Sequence, residues 1–250
     1  MTEKFYFKYE VHLHTCGCSK CGVSTGTEMV EAAFEKGYAG VVFTNHFYRG
    51  NNCVDKTQSW ERFAAAYRDD YLLAKEAGDR LGVDVLFGIE ENYWGGHEAL
   101  LYGLSPEDII NAPELADISL PGLAEFTRSH GGVIICAHPF RDRAYVVEPY
   151  IQPDMSCFDG VEVYNLFNSV ETNRMAAEFA KRTGTRVISG GDVHNRVNFG
   201  KTGLAVDRRL GSSAELAKAL LAGDYRLIIG NELYSQSDAV ELVVNGAEVG

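Results

Sequence analysis

The sequence has no apolar run of the roughly 18 residues that a membrane-spanning helix requires. Its longest apolar runs, GVVF at 40–43 and GVIICA at 132–137, have the length of strands. The first ten residues, MTEKFYFKYE, lack the basic and then apolar order of a signal peptide. Six cysteines in 250 residues are too few for a disulfide-rich scaffold, and in a reducing compartment they are expected to be thiols or metal ligands. We therefore expect a cytoplasmic protein with no membrane partner.

Basic residues are also scarce, because 23 Lys and Arg stand against 35 Asp and Glu and give a formal net charge of −12. Such a chain repels nucleic acid and anionic membranes, which disfavours nucleic acid as a partner. Bound metal ions create a local positive field whatever the net charge is. The sequence lacks internal repeats, low-complexity tracts and Pro/Ser-rich linkers, so we expect a single domain over residues 1–250.

Short apolar runs alternate along the chain with amphipathic helical patterns. The expected strands are 8–14, 39–46, 83–90, 99–103, 132–138, 159–165 and 185–192. The expected helices are 27–37, with Thr27 as candidate N-cap, 59–82, 120–132, 170–184 and 212–223. Continuous apolar strands predict a parallel sheet buried on both faces. The alternation predicts an α/β fold, either a TIM-like barrel or, less favoured because no G-x-G-x-x-G turn follows the first strand, a doubly wound sheet.

Histidines and carboxylates fall at the ends of the expected strands. These residues are His12, His14, His46, Glu90, His138, Asp192 and His194. The strand ends of a parallel barrel open onto one face, and imidazole and carboxylate are ligands of Zn²⁺, Mn²⁺ and Fe²⁺. A single strand-end histidine is most often only a polar cap, but a cluster without ligands crowds titratable groups at a cost in desolvation. The pattern therefore predicts a metal site.

Six motifs carry a resemblance to a known family. They are HLHT (12–15), TNHF (44–47), GIEEN (88–92), CAHPF (136–140), FDGVEVYN (158–165) and SGGDVH (189–194). In this order they resemble the signatures of the PHP (polymerase and histidinol phosphatase) superfamily, over about residues 8–230. The resemblance implies a distorted TIM-like (β/α)₇ barrel that holds two or three divalent ions at the strand ends, and many relatives hydrolyse phosphate monoesters.

The resemblance also implies a ligand set. His12, His14, Glu90 and Asp192 would hold a first ion, and Glu90 would bridge to a second. The second ion would be held by His138 and completed by His97, and a third by His46 and His194. The first motif departs from the family, because HTCGCSKCG has Ser19-Lys20 where relatives carry an acid or a histidine. The third ion would then be weak, absent or held by a thiolate of Cys16 or Cys18.

The three clustered cysteines, Cys16, Cys18 and Cys21, have other interpretations. They could form a separate zinc site, although no fourth cysteine lies nearby, or be free thiols of a loop.

A dinuclear site of this kind lowers the pKa of a water and neutralises charge on a phosphate. We expect the hydrolysis of a small phosphorylated substrate, a phosphate monoester. His194 or His46 would protonate the leaving alcohol, and Arg141, Arg143 and Arg196 are candidate phosphate contacts. The alternatives are a phosphodiesterase or exonuclease on nucleic acid, a metal-dependent amidohydrolase-like enzyme, and a non-catalytic metal-binding module. We expect the metal to be zinc, manganese or iron.

Overall fold

Ten strands and seven α-helices lie within residues 6–246, the part of the chain that the computed structural model describes. The strands are β1 (Phe7–Leu13), β2 (Gly40–Phe43), β3 (Asp84–Trp94), β4 (His97–Tyr102), β5 (Val133–Cys136), β6 (Gly160–Asn165), β7 (Arg186–Gly190), β8 (Thr202–Val206), β9 (Arg226–Ile229) and β10 (Glu232–Tyr234). The helices are α1 (Gly26–Glu35), α2 (Trp60–Leu81), α3 (Pro106–Ile110), α4 (Leu120–Ser129), α5 (Val170–Thr183), α6 (Ser213–Ala222) and α7 (Gln236–Val244). The predicted α/β class is confirmed.

All ten strands belong to one curled sheet, in the order β10-β9-β8-β1-β2-β3-β4-β5-β6-β7. A parallel bridge between Leu13, at the end of β1, and Val193, just beyond β7, joins two regions that are far apart in this order. The amide of His14 donates to the carbonyl of Val193 at 2.8 Å, and the amide of Val193 donates to that of His12 at 3.1 Å. The curl therefore brings the residues after β7 beside the end of β1.

The prediction of a wholly parallel sheet is wrong at β4, which runs antiparallel to both β3 and β5. The cause is the turn Gly95-Gly96, where φ is +53° and +87°. Glycine adopts positive φ at little cost and favours two-residue hairpin turns, and such a turn joins antiparallel strands only. As a result β4 begins, with His97 and Glu98, at the edge of the sheet where its neighbours β3 and β5 end.

Three strands lie beyond the seven that the sequence predicts. β8 pairs antiparallel with β1, β9 with β8, and β10 with β9. They contain five, four and three residues, and the sequence pattern does not predict them. They extend the sheet on the side of β1 away from β2.

The helices pack apolar faces against the sheet. The N-cap of α1 is Thr25 and not the predicted Thr27, because Thr25 and Glu28 form a reciprocal capping box. The largest core cluster includes Val11, Val42 and Leu100, which are all fully buried on strands. No helix within residues 6–246 is long and apolar enough to cross a bilayer.

Candidate metal centre

One rim of the curled sheet carries a buried group of histidines and carboxylates. β1, β3 and β4 contribute residues from within their length, and the others follow β1, β2, β5 and β7. We call this group the rim cluster, and its members are His12, His14, His46, Glu90, Glu98, His138, Asp192 and His194. Seven of the eight are buried, and the side chain of His194 is 24% exposed. Except for His97, all the sequence-predicted ligands therefore meet at this rim.

Glu90 lies at the centre of the rim cluster and is fully buried. Its Oε1 lies 3.0 Å from Nε2 of His12 and 3.0 Å from Nε2 of His138. Its Oε2 lies 2.9 Å from Nδ1 of His46 and 3.3 Å from Nε2 of His14. One carboxylate thus faces four imidazoles through its two oxygens, the arrangement of a carboxylate that bridges two cations.

Asp192 follows β7 and contacts two histidines of the cluster and one arginine. Its Oδ1 lies 3.0 Å from Nε2 of His14 and 3.5 Å from Nε2 of His12, and its Oδ2 accepts from Nη2 of Arg141 at 2.6 Å. The backbone φ of Asp192 is +48°, and that of His138 is +26°. Such conformations are rare for residues other than glycine and concentrate at functional sites.

Glu98, which the sequence reasoning missed, occupies the place where His97 was expected. Its Oε1 lies 3.2 Å from Nδ1 of His46, and its Oε2 lies 3.5 Å from Nε2 of His138. Nε2 of His97 instead contacts the carbonyl of Val147 at 2.7 Å. Successive strand residues point to opposite faces, so only one of this pair can face the cluster. The signal for Glu98 is the Gly95-Gly96 turn, which reverses the direction of β4.

Outer contacts hold the imidazoles in place. Glu162, also missed from the sequence, lies with Oε1 2.9 Å from Nδ1 of His12, and its Oε2 accepts from the amide of His138 at 2.9 Å. Such partners fix the orientation of a ligating histidine. A Cβ on Gly190 would lie 2.2 Å from Oε1 of Glu162 and 2.7 Å from Cβ of His12. Glycine at this position therefore permits the close approach of β7 to these two side chains.

The charges of the cluster are mutually stabilising. Burial alone would raise the pKa of Glu90, but His12, His46 and His14 hold it well below the ordinary value. Burial opposes ionisation of Asp192 in the same way, and the neighbouring Arg141 and His12 hold its pKa well below the usual range. Both carboxylates are therefore anionic at neutral pH, the form in which they bind cations.

The donor set fits divalent cations. Nδ1 of His46 and Oε2 of Glu90 are buried and have no hydrogen-bond partner, although they lie 2.9 Å apart. Buried polar atoms are normally paired, and two atoms that both offer lone pairs towards one point are satisfied by a cation between them. Four groups of three side chains have ligand atoms within 4.8 Å of one another: His14/His46/His194, His12/His14/Glu90, His12/His138/Asp192 and His46/Glu90/Glu98.

A pocket of about 510 Å³ opens above the rim cluster. Besides cluster residues it is lined by two arginines, Arg49 and Arg141, and by Tyr145. Arg141 follows the CAHPF motif and donates to Asn165 at 3.0 Å as well as to Asp192. Arg49, which was not among the predicted phosphate contacts, donates Nη1 to the carbonyl of Ile118 at 2.7 Å.

The other two predicted phosphate contacts lie elsewhere. Arg143 donates to the carbonyls of Asp142 and Phe167. Arg196 forms ion pairs with Glu31 and Glu35 of α1. Neither lines the pocket above the rim cluster, so Arg141 alone of the three predicted arginines is placed beside it.

The three clustered cysteines have three different surroundings. Cys16 is exposed, Cys18 is buried with Sγ 3.7 Å from the carbonyl of Tyr67, and Cys21 lines the pocket. Sγ of Cys21 lies 3.1 Å from Nε2 of His194. Partial burial would raise the pKa of Cys21, but hydrogen bonds from His194 and His46 lower it to about 6.

Comparison with known proteins bears on the fold. No protein-family model matches the sequence, and no curated protein has a significantly similar sequence. A two-domain protein from Bacteroides vulgatus, containing a predicted PHP-like metal-dependent phosphoesterase, superposes with a TM-score of 0.69 and 16% identity, over 97% of this chain and 70% of that one. The lesion-specific endonuclease PfuEndoQ from Pyrococcus furiosus gives a TM-score of 0.64 and 14% identity, over 89% of this chain and 58% of that one.

An amidohydrolase from Chromobacterium violaceum gives a TM-score of 0.52 and 18% identity, over 75% of this chain and 87% of that one. These likenesses confirm the PHP-like fold that the six motifs predicted. At such identities they establish the fold alone, and the chemistry has to be argued from the site.

Proposed function

We propose that this protein is a metal-dependent hydrolase of the PHP type that cleaves a small phosphate monoester in the pocket above the rim cluster. The observation that carries the proposal is Glu90, a buried carboxylate facing four imidazoles. A pocket of about 510 Å³ is in the size range of pockets that bind small molecules. The substrate is therefore proposed to be a small phosphorylated molecule.

The rim cluster would hold two or three divalent ions, with Glu90 between two of them. Bound there, such ions supply a nucleophilic hydroxide near neutral pH and neutralise charge that develops on a phosphate. Arg141 has a guanidinium at the pocket wall whose Nη2 is already fixed by Asp192 and Asn165. A pre-positioned guanidinium binds a phosphate with little loss of side-chain freedom.

The predicted proton-donor role of His46 and His194 is not part of this proposal. His46 is buried with Nδ1 towards Glu90 and Glu98. His194 has Nδ1 2.6 Å from the carbonyl of Asp192 and Nε2 3.1 Å from the thiol of Cys21. Nδ1 of His46 thus faces two carboxylates and both nitrogens of His194 have close partners, which favours a role as ligands over a role as proton donors.

The test is a hydrolysis panel on the purified, metal-analysed protein. We expect small phosphate monoesters to be cleaved with a kcat/KM well above that for phosphodiesters, carboxylic esters and amides. Arg141→Lys keeps the positive charge beside Asp192 but removes the guanidinium fork. We expect it to lower kcat/KM roughly tenfold or more, because a hydrogen bond to a charged group contributes roughly 1.5–3 kcal/mol. The matched control is Arg143→Lys, which should leave kcat/KM unchanged.

A second candidate is cleavage of phosphodiesters in nucleic acid, which the shared fold with an endonuclease favours. The net charge of −12 opposes it, because binding to the phosphate backbone depends on basic residues. Digestion of a single-stranded oligonucleotide, without turnover of any monoester, would replace our proposal with this one. Turnover of amides alone would indicate an amidohydrolase-like enzyme, and bound metal without any turnover would indicate a binding module.

A further inference from the structure

A loop beside the rim cluster carries a thiol that has no role in the proposed reaction. Cys21 lies between β1 and α1 and is partly buried. The loop is fixed on both sides, because the amide of Gly22 donates to the carbonyl of Ser19 at 3.0 Å and that of Val23 donates to the carbonyl of His194 at 2.8 Å. The chain thus holds the thiol at the side of the pocket where His194 lies.

Two imidazoles converge on this thiol. Sγ of Cys21 lies 3.1 Å from Nε2 of His194, and His46 lines the same pocket as Cys21 and His194. His14, His46 and His194 have ligand atoms within 4.8 Å of one another. The ring of His14 lies 4.4 Å from that of His46 and 4.5 Å from that of His194, centroid to centroid, so three imidazoles pack together beside the thiol.

We propose that Cys21 is a thiolate ligand of a third cation, which it shares with His46 and His194. In a tetrahedral zinc site the sulfur and nitrogen ligands lie about 3.5 Å apart. The observed 3.1 Å between Sγ and Nε2 therefore needs to open by only a few tenths of an ångström, within the reach of a side chain on a loop. This inference rests on the proposed metal binding, and it does not depend on the substrate.

The ligand type has a consequence for which metal this position selects. Thiolate favours Zn²⁺ and other thiophilic ions, whereas sites made of carboxylate, carbonyl and water suit Mg²⁺ and Mn²⁺. The other cysteines of the loop do not compete for this position. Cys16 is exposed, and its carbonyl accepts from the thiol of Cys53. Cys18 is fully buried against Tyr67. Cys21 therefore makes this position more thiophilic than the Glu90 positions.

The experiment replaces the native metals with Co²⁺ in the full-length protein. We expect up to three Co²⁺ per chain and an intense sulfur-to-cobalt charge-transfer band in the near ultraviolet. Cys21→Ser should abolish the band and lower the bound cobalt by one equivalent. The matched control, Cys16→Ser in the same loop, should leave both unchanged. Circular dichroism of each variant verifies that it is folded.

Alkylation of the unmodified protein gives a second measurement that requires no variant. Zinc loading should slow the reaction of iodoacetamide with Cys21 more than tenfold, read by peptide mass spectrometry, while exposed Cys16 and Cys53 react at unchanged rates. A charge-transfer band in a protein that hydrolyses nothing would support the thiolate ligand and reject the proposed function. Bound cobalt with phosphatase activity but without the band, or unprotected Cys21 in the zinc form, would overturn the thiolate ligand and leave the function standing.

Discussion

His97 and Glu98 are neighbours in sequence but serve the molecule in different ways. Glu98 faces His46 and His138 inside the rim cluster. His97 stacks on Trp94 with an interplanar angle of 4° and contacts the carbonyl of Val147. It therefore joins the β3–β4 turn to the loop that follows Arg141. The geometry assigns the ligand role to the carboxylate and a structural role to the imidazole.

Replacing each of these two neighbours with glutamine tests that assignment. We expect Glu98→Gln to weaken metal binding by more than the roughly 10–100-fold that loss of an outer-shell partner costs, because a neutral amide binds a divalent cation less strongly than a carboxylate does. His97→Gln should leave the metal content unchanged, since Nε2 of His97 faces a backbone carbonyl. Metal equivalents after dialysis against graded chelator provide the measurement. A metal-poor His97→Gln with a fully loaded Glu98→Gln would reverse the assignment.

The sequence predicts those residues of the site that lie at the ends of parallel strands. His12, His14 and Glu90 could be placed from the sequence because parallel strands end at one rim. Glu98 and Glu162 could not, because one lies at the start of a reversed strand and the other lies within β6. The position of Cys21 depends on the path of an irregular loop, and no periodic pattern describes such a path.

At the scale of elements, the β3–β4 hairpin is what brings a strand start to the rim. The amide of Val147 donates to the carbonyl of Gly95 at 2.7 Å, so the loop carrying Tyr145 lies against the turn. A Cβ on Gly96 would lie 2.8 Å from the carbonyl oxygen of Tyr145. The turn therefore requires glycine at position 96 both for its φ of +87° and for this close approach.

Gly96→Ala should lower the free energy of unfolding more than the same change at another glycine with positive φ does. The matched control is Gly37→Ala, where φ is +67° and a Cβ would meet nothing within 4 Å. We expect about 1–3 kcal/mol from backbone strain at either position, and a further 1–3 kcal/mol at Gly96 from the steric clash with the loop. Urea unfolding gives the free energies of unfolding. Equal losses for the two variants would contradict the close packing at the turn.

The same hairpin shows which features of the sheet a local sequence pattern does not predict. Seven strand positions and the main helices could be located because their apolar runs are long and bounded by turn residues. The direction of β4 depends instead on the two glycines at 95 and 96, a hairpin signal that the expectation of a parallel sheet does not take into account. β8 to β10 are stabilised by pairing next to β1, a tertiary effect that a local pattern does not contain.

At the scale of the whole molecule, the fold brings acidic side chains and histidines together in the rim cluster. Three carboxylates, Glu90, Glu98 and Asp192, are buried together with four histidines at one end of the curled sheet, and the partly buried His194 lies beside them. The bridge between Leu13 and Val193 places His12 and His14 beside Asp192 and His194, although the two pairs are far apart in the sequence. Because the site exists only in the folded chain, cation binding and folding have to be thermodynamically linked.

Removal of metal should therefore lower the stability of the whole protein. A ligand that binds only the native state adds about 2.7 kcal/mol at a free concentration of 100 times its Kd. For a chain of about this size, each kcal/mol shifts the unfolding midpoint by roughly 2–4 °C. We expect chelator to lower the midpoint by about 5–11 °C and added Zn²⁺ or Mn²⁺ to restore it, read by calorimetry with metal content measured in parallel. Glu98→Gln should respond less to both treatments, while Arg143→Lys, remote from the cluster, should respond as the unmodified protein does. A midpoint that stays constant while elemental analysis shows the ions leaving would mean that the rim cluster is not their binding site.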